Sequence, residues 1–82
     1  MAPTDKFDWE ARINVDPGIA AGHAVITGTR VPIEVIVGSL GGGATTAEVC
    51  EDYNVSEEDV WAALIYAAEV VAAQSRHALP HR

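Results

Sequence analysis

The chain has 82 residues, close to half of them hydrophobic, with 12 acidic against 5 basic side chains and a formal charge of -7. One small domain of this size leaves a thin core, so the apolar excess points to self-association. The charge disfavours non-specific attraction to nucleic acid or to an anionic membrane and suits a basic protein partner instead.

Residues 1–11 read as a polar arm in which Phe7 and Trp9 can clip onto the domain or onto a neighbour. The arm lacks an apolar run of signal-peptide length, and no stretch further on is long enough for a membrane span, so a cytoplasmic protein is expected. A lone cysteine, Cys50, fits the same reducing setting, since it can form neither an internal disulfide nor a thiolate metal site.

The single domain is expected over residues 12–75, followed by a flexible tail over residues 76–82. Arg12-Ile13-Asn14-Val15 alternates with period two, as a short strand would, and Asp16-Pro17-Gly18 is a strong turn signal. A second turn falls at Gly22-His23. Ala24-Val25-Ile26 can then pair with Thr29-Arg30-Val31 across Thr27-Gly28, where glycine tolerates a positive φ. So small a sheet needs a helix to pack against.

Pro32 stands where a helix can begin, because its missing amide hydrogen would be unsatisfied there anyway. Ile33, Val35, Ile36, Val37 and Leu40 supply the apolar face, and Gly41-Gly42-Gly43 stops the helix. These glycines have no Gly-Lys-Ser/Thr after them and no strand before them, so a phosphate loop is not indicated.

Thr45-x-x-Glu48 and Ser56-x-x-Asp59 are two capping boxes. They place a second helix over residues 46–53 and a third from Glu57 to about Ser75, joined tightly as in a helix-turn-helix. The Val49, Cys50 and Tyr53 spacing makes Cys50 a small core residue, and its acidic neighbours argue against a reactive thiol. On the third helix, Val60, Leu64, Ala67 and Val71 are expected to pack on the first two helices. Trp61, Ile65, Ala68 and Ala72 are then left as a partner or self-association face, joined by Phe7 and Trp9 of the arm.

Arg12, Arg30 and Ser56 are the candidate DNA or phosphate contacts. Glu57, Glu58 and Asp59 would present like charge to phosphates where a recognition helix enters the groove, so DNA binding by the free protein is expected to be weak. Arg12 and Arg30 on one face would equally meet acids of the same domain. No catalytic residue, metal ligand or cofactor site is indicated. His23, His77 and His81 are scattered, Pro80 interrupts the last pair, and three consecutive helical acids cannot converge on one ion.

The run Arg12-Ile13, Asp16-Pro17, Ile19, Gly22, Ile26-x-Gly28-Thr29-Arg30-Val31, then Glu48, Tyr53 and Glu58-Asp59-Val60-x-Ala62-Ala63-Leu64-x-Tyr66-Ala67-Ala68 closely resembles the domain-of-unknown-function 433 family. The resemblance covers about residues 12–69. It implies small bacterial VapB-type antitoxins with a winged or homeodomain-like helix-turn-helix, a partner toxin of the PIN-like nuclease kind, and autorepression of a shared operon. Members commonly carry proline where Ala24 stands and a longer link where Tyr53-Asn54-Val55-Ser56 stands. The combined expectation is a mainly α, three-helix core with a small N-terminal antiparallel β-hairpin, forming a homo-oligomer that binds a toxin. Its alternatives are a sequence-specific DNA-binding regulator and an interaction-only scaffold.

Overall fold

Glycine, proline and the two capping boxes divide the chain into short elements, and the computed structural model, which describes residues 7–77, follows that division. Strands β1 (Ile13–Asn14) and β2 (Val25–Ile26) pair antiparallel, with Ile13 opposite Ile26. Helices α1 (Ile33–Gly41), α2 (Thr46–Tyr53) and α3 (Glu57–His77) follow. A mainly helical domain with a small N-terminal antiparallel sheet is thus what the chain forms. Thr29–Val31, expected as the partner strand of Ala24–Ile26, is not a strand, because β2 pairs with β1 instead; the return across Thr27-Gly28 is a tight turn in which Gly28 takes φ +81° and the Ile26 amide donates to the Val31 carbonyl at 3.0 Å. Thr29 locks this turn by donating to the Ile26 carbonyl and accepting from the Val31 amide. Val25 also bridges to Pro32, which leads directly into α1.

Both capping boxes are closed. Thr45 Oγ1 accepts from the Glu48 amide at 3.1 Å while Glu48 accepts from the Thr45 amide at 2.8 Å, and Ser56 and Asp59 repeat the exchange at 3.1 and 3.0 Å. Each exchange satisfies two amides that a helix start would otherwise leave unpaired. Between the helices, Asn54 adopts the left-handed conformation at φ +56°, and the next amide, of Val55, returns to the Cys50 carbonyl. This closure ends α2 and sets up the compact turn into α3.

Ile26, Ile33, Ile36, Val49, Val55, Val60 and Ala63 form the core, with Cys50 half-buried against it. Four further features differ from expectation. Residues 9–11 of the expected arm belong to the domain, because Trp9–Arg12 forms a 3-10 turn capped by Asp8 and packed on α3. The third helix runs two residues further than expected, to His77. Ala20 and Ala21 take φ of +49° and +56° before Gly22, a left-handed turn that alanine disfavours and that costs roughly 1–2 kcal/mol per alanine. The fourth feature is the orientation of α3. Leu64 and Val71, expected in the core, are 42% and 59% exposed, while Ala62 and Ala63 are fully buried.

Candidate functional site

That reversal follows from how closely the helices pack. Small side chains allow the backbones to approach, so Ala63, with Val60, faces the core, and Ala62 is buried as well. At 100° per residue, a core direction through Val60, Ala63 and Ala67 turns Trp61, Leu64, Ala68, Val71 and Ala72 outward within an arc of about 100°. All five are exposed. Trp61, Leu64, Ala68 and Val71 are spaced three, four and three apart, the alternation of a helix-pairing seam.

The N-terminal segment borders this surface on one side. Phe7 meets Trp61 edge-on, with ring centroids 6.2 Å apart and planes at 75°, and Ile65 is half-buried beside it. Trp9 takes another direction and lies with Glu10 and Ile13 beside Tyr66. Of the residues expected on the association face, Trp61, Ala68 and Ala72 are exposed on it, Phe7 extends it, Ile65 is partly covered, and Trp9 packs elsewhere. Leu64 and Val71 join the face. Their signal was a period that fits either side of the helix, and only the depth at which Ala62 and Ala63 sit decides between them. On the other border, Ala24, Ile33, Val37, Tyr66 and Val70, with Glu34, line a mostly apolar groove of about 470 Å³ between α1 and α3, and Val71 belongs both to its wall and to the outer face.

Of the expected DNA contacts, Arg12 and Ser56 are both engaged within the domain. Arg12 Nη1 donates to Asp59 Oδ1 at 2.9 Å, and its guanidinium carbon lies 6.0 Å from the Phe7 ring centroid. Ser56 is engaged in its cap. Arg30 is exposed at the tight turn beside Ile19, Gly28 and Thr29. Among the described residues Arg30 has no ion-pair partner.

Asp59 is the electrostatic node of this end of α3. Burial alone would push its carboxyl up, but the Ser56 amide, hydrogen bonds from Arg12 and the Ser56 hydroxyl, and the Arg12 charge outweigh burial and hold it below its ordinary value of 3.8. Glu57 and Glu58 remain exposed at the entrance to the helix. Among the described residues, no three His, Cys, Asp or Glu side chains are grouped to hold a metal ion, and no helix is long and apolar enough to cross a membrane.

The chain belongs to the family described as "Protein of unknown function (DUF433)", whose model matches residues 13–67. It is similar to a crystal structure of a DUF433 member from Anabaena variabilis, with 30% identity and a TM-score of 0.70 over 80% of this chain and 66% of that one. It is also similar to the X-ray structure of Rv2018 from Mycobacterium tuberculosis, with 33% identity and a TM-score of 0.61 over 67% of this chain and 26% of that one. The chain therefore spans just under two thirds of the first relative's length and about a quarter of the second's. No curated protein matches it.

Proposed function

We propose that this chain is a non-enzymatic, antitoxin-like association module, which assembles with itself and holds a PIN-like nuclease toxin. The observation that supports this reading most is the outer face of α3, where Trp61, Leu64 and Val71 are 48%, 42% and 59% exposed along one seam. Exposed apolar patches of this kind tend to mark interaction sites. Glu57 and Glu58 at one end of the seam, within a chain of formal charge -7, suit a basic nuclease. The VapB-type antitoxin assignment comes from the family resemblance, and the charge pattern is consistent with it. A cytoplasmic bacterial setting belongs to the same reading.

Sequence-specific DNA binding is the second reading, favoured by the tight α2–α3 turn. Its cost is electrostatic: Arg12 is already paired, and the residues entering the groove would be Ser56, Glu57, Glu58 and Asp59. The two readings separate in one assay series. Mixed with DNA from its own promoter near physiological salt, the free protein gives little or no gel retardation, whereas with a cognate PIN-like nuclease it co-elutes and silences cleavage. Tight DNA binding by the free protein, or a nuclease left fully active, would reverse this ranking.

A further inference from the structure

Resting on the association reading above, we propose that the seam on α3 is occupied by a second copy of this chain running antiparallel, with Trp61 against the partner subunit's Val71 and Leu64 against the partner subunit's Ala68. The two-fold axis then passes beside residue 66. Two observations favour this arrangement over a parallel one, and a third gives a second helix room on the seam.

The first is size. In the antiparallel register each large side chain meets a smaller one, Trp61 with valine and Leu64 with alanine, and both pairs recur by symmetry, so the face is complementary to itself. A parallel pair would stack Trp61 on Trp61 and leave Ala68 facing Ala68. Such a seam would be too wide at one end and hollow at the other.

The second is charge. Glu57, Glu58 and Asp59 form the first turn of α3, and among the described residues only Asp59 has an ion-pair partner. Parallel pairing would set Glu57 and Glu58 of both copies together, whereas antiparallel pairing sets them beside residues 70–77, a sequence with no acid and one arginine. Opposed helix dipoles reinforce that choice.

The third is vacancy along the seam. Phe7 packs edge-on against Trp61 at one border, α1 and α2 cover the Val60–Ala63 side, and residues 68–72 are exposed. Among the described residues, the domain borders the seam while leaving its length open to another helix.

Spin labelling of Glu57→Cys in a Cys50→Ala background tests the pairing by dipolar distance measurement. With the axis at residue 66, residue 57 lies opposite the partner's position 75, and the rise of α3 puts the two labels about 30 Å apart. A distance below about 20 Å would mean parallel helices, and one beyond about 45 Å would mean that copies meet through another face; either overturns the pairing while leaving association intact. Absence of any coupling, together with a monomer mass for the unlabelled parent, would remove the association reading as well.

Discussion

Asp59 serves three roles through one carboxyl: it closes the capping box with Ser56, pairs with Arg12, and so pins the N-terminal segment to the start of α3. Its side chain is only 17% exposed, so the Arg12 contact is better shielded than a surface pair. Asp59→Ala should cost about 1–2 kcal/mol, the usual range for a lost cap plus a shielded pair. Denaturant melts at pH 7 would show it. The sign of the pH dependence follows from the lowered folded-state pKa. The contribution is complete above the ordinary carboxylate value of 3.8 and is lost as pH falls below it through the folded value, so parent and variant should converge in acid. A gap that persists unchanged at pH 2 would show that the charged form is not what stabilises this contact.

At the level of elements, the signals that were legible in the sequence are those fixed by local chemistry. Thr45, Glu48, Ser56 and Asp59 mark helix starts because each reciprocal cap closes within four residues, and Gly41-Gly42-Gly43 marks a stop for an equally local reason. The orientation of α3 was not legible. Leu64 and Val71 have the right spacing and size for a core face, yet the distance between helices is set by tertiary packing, and the close approach buries Ala62 and Ala63 instead. The left-handed turn at Ala20 and Ala21 was hidden for a similar reason, since alanine carries no mark of positive φ. The Arg12–Asp59 pair spans 47 residues and was equally beyond local pattern. The corrected orientation has its own check. Val60→Ala, at a fully buried position, should cost about 2 kcal/mol, whereas Val71→Ala should change monomer stability by less than about 0.5 kcal/mol. Equal losses in dilute thermal melts would put Val71 back in the core.

For the whole molecule, a thin core and an apolar outer seam are two sides of one composition. With 82 residues and nearly half of them hydrophobic, the chain buries Val60, Ala62 and Ala63 but leaves Trp61, Leu64, Val70 and Val71 exposed. A second copy would cover that surface, and the chain is similar in structure to proteins with longer chains. The net charge of -7 opposes assembly at low ionic strength, so added salt should strengthen self-association while it weakens any contact with a basic partner. Light scattering of the purified chain at rising concentration, set beside Leu64→Glu with its helical content verified by circular dichroism, addresses the central claim most directly. The account predicts a parent mass of at least two chains and a folded variant reduced to one; a parent that stays at one chain throughout, or a variant that keeps the parent's mass, would contradict it.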